Sequence, residues 1–157
     1  MSALATGGRV VPEAWIDYNG HMMDAYYSMA FTEATEAFLD HVGLGAAYRA
    51  VSGCGIYTVE SHVCFAKSVL GGAALVYESQ LLGWDHKRLH LFHQMVEPGG
   101  GDQVATNELM LLHVDLATER VAPMPQPRSR AVQLAASAQA ALPPPQNAGR
   151  RIRMPAR

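Results

Sequence analysis

The sequence predicts an α+β domain in which one long helix packs against a mostly antiparallel sheet of five strands. Three observations lead there. Residues 22–42, MMDAYYSMAFTEATEAFLDHV, repeat apolar side chains at three- and four-residue steps. From Ile56 the apolar period falls to two and stays there through four segments. Short glycine-containing turns separate those segments, and connections that short join antiparallel neighbours.

In chain order, GRVVPEAWI (residues 8–16) reads as the first strand, with Pro12 confining it to an edge or bulge. Asn19, or Asn19-Gly20, is placed to begin the helix, and Asp24 suits the positive end of its dipole. Tyr26, Ala30, Ala34, Ala37 and Phe38 form its apolar stripe, while Glu33, Glu36 and Asp40 face away. Gly43 is expected to cap the helix in the left-handed conformation, with Leu44 making the hydrophobic contact beyond it.

Strict alternation in IYTVESHVCF sends Tyr57, Val59, Val63 and Phe65 to one face and Thr58, Glu60 and His62 to the other. AALVYESQLLGW, KRLHLFHQMV and VATNELMLLHVD supply the remaining strands. The turns fall at Gly71-Gly72, Gly83 and Pro98-Gly99-Gly100-Gly101. His90 and Phe92 share a strand face that His93 does not, so KRLHLFH is not a ligand cluster. A short helix is expected after Pro127, packing through Val132, Leu134 and Ala138. The domain is therefore assigned to residues 9–116, an extension to 117–142 and a mobile end to 143–157. The four arginines of that end are read as a solvated tail, with contact to an anionic ligand as the alternative.

Composition narrows the function classes. A chain of 157 residues with 49% hydrophobic content is long enough for one domain with a real core. A net charge of -2 without a basic patch in the folded part argues against nucleic acid as the main partner. Cys54 and Cys64 are too few and too isolated for a disulfide framework or a metal site, so no metal and no bound cofactor are expected. The first ten residues lack a basic segment followed by an apolar one, and no apolar run approaches the roughly 20 residues needed to cross a bilayer. A cytoplasmic protein with no membrane partner is the expectation.

One stretch carries more chemistry than a turn needs. VPEAWIDYNGHMMDAYY sets Asp17, Asn19, Gly20 and His21 before the strongest helix, among Trp15, Tyr18, Tyr26 and Tyr27. The order Asp, two residues, Gly-His, then a tyrosine one turn on, ahead of a long helix and four strands, resembles the hotdog-fold acyl-CoA thioesterases related to 4-hydroxybenzoyl-CoA thioesterase. The likeness covers residues 9–116, and WIDYNGHM, GCGIYTVESHV and KRLHLFHQM look most like the branch containing betainyl-CoA thioesterases of carnitine breakdown. It implies a hotdog fold, a sheet wrapped around one long helix, and hydrolysis of a small acyl-CoA to free acid and coenzyme A. Two departures stand out. Met23 replaces the family's common asparagine, and Gly71-Gly72 replaces its usual Gly-Asp.

Thioester hydrolysis needs an activated water or a nucleophile, and donors aimed at the oxygen that gains charge. Asp17 serves as general base or as nucleophile. The backbone N–H groups of Gly20, His21 and Met22, near a helix start, are candidates to hold the carbonyl oxygen. His21 is read as structural or orienting, with a direct proton role as the alternative. Ordinary turns also use Asx residues and glycine, so the motif without the resemblance is weak. Trp15, Tyr18, Asn19, Met23, Tyr26 and Tyr27 are assigned to the acyl pocket; converging aromatic faces suit a quaternary ammonium and equally an aromatic acyl group. Glu60 is added as a substrate contact, and Lys67, Lys87 and Arg88 as contacts to coenzyme A phosphates, with surface salt bridges as their alternative. Glu33 and Glu36 either face solvent or approach the site of a second copy. An unprotected sheet edge calls for a homodimer or a dimer of dimers. Two other readings stand beside hydrolysis: an acyl-CoA-binding domain without turnover, motivated by Met23, and an enoyl-CoA hydratase or dehydratase on the same fold.

Overall fold

The computed structural model describes residues 2–99 and 101–154; Gly100 and residues 155–157 of the C-terminal end lie outside the described residues. Chain order is β1 (Leu4–Val10), a 3-10 turn (Glu13–Trp15), α1 (Asp24–His41), α2 (Ala46–Ser52), β2 (Cys54–Phe65), β3 (Ala74–Trp84), β4 (Arg88–Val96), β5 (Gln103–Asp115), β6 (Arg120–Val121) and α3 (Gln126–Gln139). Every pairing is antiparallel, in the spatial order β1-β3-β4-β5-β2, and β6 adds a two-residue ladder to β5. The sheet wraps α1, as the hotdog fold requires. No helix among the described residues is long and apolar enough to cross a membrane.

Several local expectations shift. The first strand ends at Val10 and a separate 3-10 turn follows Pro12. Proline has no N–H for a ladder, and its fixed φ starts the turn instead. Helix α1 begins at Asp24, after Met23, so Asn19 and Gly20 belong to a turn ahead of it. Its buried face runs through Tyr27, Ala30, Phe31, Ala34, Thr35, Phe38 and Leu39, which makes Tyr26 and Ala37 flanking rather than central. At the other end the expected cap forms: Gly43 has φ +71, Leu44 N–H donates to the Leu39 carbonyl at 2.7 Å, and Gly43 N–H to that of Asp40 at 3.0 Å. Leu44 is buried in the core, as the motif requires.

A bulge between Thr58 and Glu60 breaks the alternation expected for β2. The extra residue reverses which side chains face inward. Thr58, Ser61, Val63 and Phe65 pair with Leu111, Leu109, Asn107 and Ala105 on the helix side, while Tyr57, Glu60 and His62 pair with Leu112, Met110 and Glu108 on the outer side. Tyr57 and Val63 therefore do not share a face.

Helix α3 begins at Gln126 and buries Val132, whereas Leu134 and Ala138 are exposed. Its anchor is polar. The Gln139 carboxamide accepts from Leu81 N–H at 2.8 Å and donates to the Ser79 carbonyl at 2.9 Å. Because β1 pairs with β3 only as far as Ser79, this side chain continues the ladder where the edge strand stops. Beyond α3 the chain crosses the outer face: Gln80 donates to the Pro143 carbonyl, Asn147 to Gln103, and Gly149 N–H to Glu108 at 2.7 Å.

A buried polar chain joins the two layers. Thr6 and Ser79 hydroxyls are 2.8 Å apart, Ser79 Oγ lies 2.6 Å from His93 Nδ1, and His93 Nε2 lies 2.9 Å from Thr35 Oγ1. Thr35 in turn donates to the Phe31 carbonyl at 3.0 Å. With that hydroxyl committed, Thr35 accepts from Nε2–H, and a neutral imidazole accepts from Ser79 at Nδ1, so each group is used once. Burial lowers the His93 pKa from 6.5 to about 4. The unfolded chain then binds a proton in that window that the folded chain refuses. Stability should fall as pH drops from 6.5 towards 4, by about 3 kcal/mol in all. Thermal denaturation of native protein and His93→Gln across pH 7 to 4.5 tests this. The variant is expected to be less stable at neutral pH and to lose much of the native protein's slope in that window.

Candidate active site

The segment from Asp17 to His21 is a three-residue hairpin loop. Asp17 N–H donates to the His21 carbonyl at 2.9 Å, Gly20 N–H to the Asp17 carbonyl at 3.0 Å, and Ile16 bridges to Met22. Gly20 sits at φ +79, the left-handed position this loop type needs, and space is open where a Cβ would stand. Glycine is thus required there by conformation. Asp17 is half-buried, and its carboxylate accepts Asn19 N–H at 2.8 Å. The Asn19 amide approaches the second oxygen at 3.4 Å. Two of the three amides offered for a carbonyl oxygen are occupied, Gly20 by Asp17 and Met22 by the Val69 carbonyl at 2.8 Å. The His21 N–H has no partner among the described residues.

Met23 occupies the N-cap of α1 and makes no side-chain cap bond; Asp24 partly substitutes by accepting Ala25 N–H at 2.8 Å. The position where the family commonly places asparagine is thus one where an amide oxygen caps a helix.

The four aromatic rings do not converge. Tyr18 is 98% exposed. Trp15 is buried with both faces taken, by Tyr26 stacked at 4.9 Å and by the Arg9 guanidinium at 4.6 Å. Arg9 is held in turn by a two-point ion pair with Glu33, which removes Glu33 from the free polar face. Under this stack the Tyr77 hydroxyl is buried without a partner among the described residues, and burial, then the nearby Glu33 charge, push its pKa up to about 12. Tyr27 is buried edge-on against Phe65 at 5.0 Å and donates to the Lys67 carbonyl. Trp15 and Tyr26 thus serve the fold, because only the tertiary structure put Arg9 on the remaining indole face.

Other candidates are similarly redistributed. Lys67 is committed to Glu97 at 2.8 Å and Asp102 at 3.4 Å, and the Glu97 hydrogen bond raises its pKa. Arg88 pairs with Asp85 at 2.7 Å, which together with backbone donors holds that carboxyl at about 2. Lys87 lies in the β3–β4 turn and Arg88 opens β4, whereas the Asp17 loop packs beside Val69, just before β3 begins. The 11 residues of β3 separate them by roughly 35 Å, so one chain does not bring them to Asp17. Glu60 is exposed on the outer side of β2, away from α1. No group of three or more His, Cys, Asp or Glu side chains among the described residues is placed to hold a metal ion.

Sequence reasoning missed a groove of about 220 Å³ between α1 and the inner side of β2, walled by Thr32, Glu36, Thr58, Ser61 and Asn107. Glu36 is its one acid, and no basic residue lines it. The bulge in β2 turns Thr58 and Ser61 inward together, which simple alternation forbids.

An acid held in a glycine turn ahead of the central helix of a wrapped antiparallel sheet is the arrangement expected of a thioester hydrolase of the hotdog fold. Comparison with known proteins gives the family. The thioesterase-like superfamily matches residues 11–136, and the chain belongs to it. It is 44% identical over 146 residues to a betainyl-CoA thioesterase of Pseudomonas aeruginosa, covering 93% of this chain and 91% of that one. Among solved structures it resembles a putative thioesterase of Pseudomonas putida KT2440, at 35% identity and TM-score 0.85 over 99% of both chains. A Staphylococcus aureus protein in complex with CoA superposes with TM-score 0.90 at 26% identity, over 99% of this chain and 98% of the other.

Met23→Asn should raise stability by about 1 kcal/mol through the restored cap. Denaturant unfolding of the two proteins checks it, and an unchanged midpoint would show that the side chain at this position does not cap α1.

Proposed function

We propose that this thioesterase hydrolyses betainyl-CoA to betaine and coenzyme A. The likeness to the Pseudomonas aeruginosa betainyl-CoA thioesterase, 44% identity across nearly the whole of both chains, carries the reading. Asp17 is the acting carboxylate, as base toward water or as nucleophile on the thioester carbon. Asn19 fixes its orientation through two contacts. The free His21 N–H is the donor for the carbonyl oxygen, and the His21 side chain remains an orienting group. An α1–β2 groove containing one carboxylate and no base suits a small cationic acyl group, since opposite charge is what a quaternary ammonium, having no hydrogen to donate, can use.

That groove also argues for a second copy. Glu36 stands roughly 18 Å along α1 from its first residue, farther than a betainyl group reaches from Asp17 of the same chain. β2 is an edge strand of 12 residues, with Val59 and Phe65 each 55% exposed. Such an edge invites pairing. Two-fold antiparallel pairing would lay the Phe65 end of one β2 against the Cys54 end of the other. The Asp17 loop of each copy would then approach the Glu36 end of its partner's groove.

Coenzyme A release should be followed from betainyl-, acetyl-, butyryl-, octanoyl- and benzoyl-CoA. Betainyl-CoA is expected to be the preferred substrate, with turnover falling on the order of 100-fold or more in Asp17→Asn. Preference for another thioester would remove the substrate assignment, and undiminished turnover in Asp17→Asn would remove the mechanism. Sedimentation should show the native protein as a dimer or larger, and Val59→Arg should shift it towards monomer with parallel loss of activity. A fully active native monomer would rule out the shared site.

A further inference from the structure

Of the twelve lysines and arginines in the chain, four fall in the last eight residues, which contain no acid. Elsewhere the basic residues first considered for phosphate are already neutralised or distant: Lys67 by Glu97 and Asp102, Arg88 by Asp85, and Lys87 at the far end of β3. The structure places residues 147–154 in a definite location. Asn147 bonds to Gln103, and Gly149 N–H to Glu108, which also pairs with His90. That seat carries Arg150, Arg151 and Arg153 to the end of β2.

There they line a cleft of about 1250 Å³ with His62, Cys64 and Phe65. No ion pair among the described residues involves any of these three arginines. Arg150 and Arg151 also border a neighbouring hollow containing Glu60 and Glu108, but neither acid reaches salt-bridge distance. The cleft is close to the candidate active site: Phe65 packs on Tyr27, whose hydroxyl bonds to Lys67, and Val69 two residues on holds Met22.

The geometry points to a phosphate subsite for coenzyme A, formed by Arg150, Arg151 and Arg153 in the cleft beside the end of β2. This rests on the acyl-CoA reading of the Asp17 site and extends it to the nucleotide half of the substrate. Guanidinium groups match phosphate oxygens in pairs and stay charged at any working pH. Three of them in one cleft, with no ion-pair partner among the described residues, on a chain whose net charge is -2, complement the phosphates of coenzyme A.

Calorimetric titration of free coenzyme A and of pantetheine, which lacks the phosphates, into the native full chain and an Arg150→Gln/Arg151→Gln/Arg153→Gln variant tests the subsite. The native protein should bind coenzyme A more tightly than pantetheine. The variant should lose roughly tenfold or more in affinity for coenzyme A, equivalent to one charge-assisted hydrogen bond, while its affinity for pantetheine holds. In turnover the same variant should show a raised KM with kcat retained. A variant that binds coenzyme A as the native chain does, or that loses both ligands equally, would overturn the subsite alone. A native protein that binds neither ligand would overturn the acyl-CoA reading beneath it.

Discussion

Every part of this molecule depends on keeping α1 fixed against the inner face of the sheet. Apolar contact supplies most of the energy, through Phe31 in the cluster with Tyr77, Met95 and Val104 and through Phe38 and Leu39 in the cluster with Leu89, Leu91, Leu109 and Leu111. Such contact is not directional. The chain of hydroxyls and imidazole from Thr6 through Ser79 and His93 to Thr35 supplies direction, since it spans β1, β3, β4 and the helix with each donor matched to one acceptor. A helix rotated or slid by one residue would leave His93 buried and unpaired, a cost of the order of the whole hydrogen bond.

The position of the candidate reactive turn follows from that fixed helix. Trp15, clamped between Arg9 and Tyr26, ties the end of β1 to the first turns of α1, and Met22 ties the same segment to Val69. Between these attachments the chain has only enough length for a tight loop, which Gly20 closes by adopting positive φ. Asp17 is therefore carried on a short loop with two rigid ends, held by its own Asx contact rather than by a neighbouring base. A carboxylate fixed this way is preorganised without being neutralised, which both proposed roles of Asp17 require.

Charge is sorted around the edge strand. The groove on the inner side of β2 holds a single acid, and the cleft at the strand's end holds arginines and no acid. In the proposed dimer, a substrate with a cationic acyl group and a polyanionic carrier would find its acyl group complemented in the partner's groove and its phosphates at the end of the β2 beside its own Asp17. The bulge at Thr58/Glu60 makes the arrangement possible, because it turns Ser61 inward and leaves Glu60 and His62 outside.

The sequence by itself determined α1, the four long strands from β2 to β5 and the candidate reactive motif, while it misplaced β1 and left out α2 and β6. Local patterns decide these: the period of α1, the Gly43 cap, the alternating segments, and the Asp17-to-His21 turn with its glycine. Each rests on interactions between residues close in sequence, so the signal is visible in one chain. It also supported the family, since motif spacing survives divergence. What only the tertiary structure decided is which of several chemically suitable side chains are free to act. Trp15 and Lys67 looked available until partners distant in sequence, Arg9 and Glu97, were found beside them. The β2 faces reversed for the same kind of reason, because a single inserted residue is defined only against the strand opposite. A side chain's chemistry is local, but its freedom depends on contacts that folding brings together.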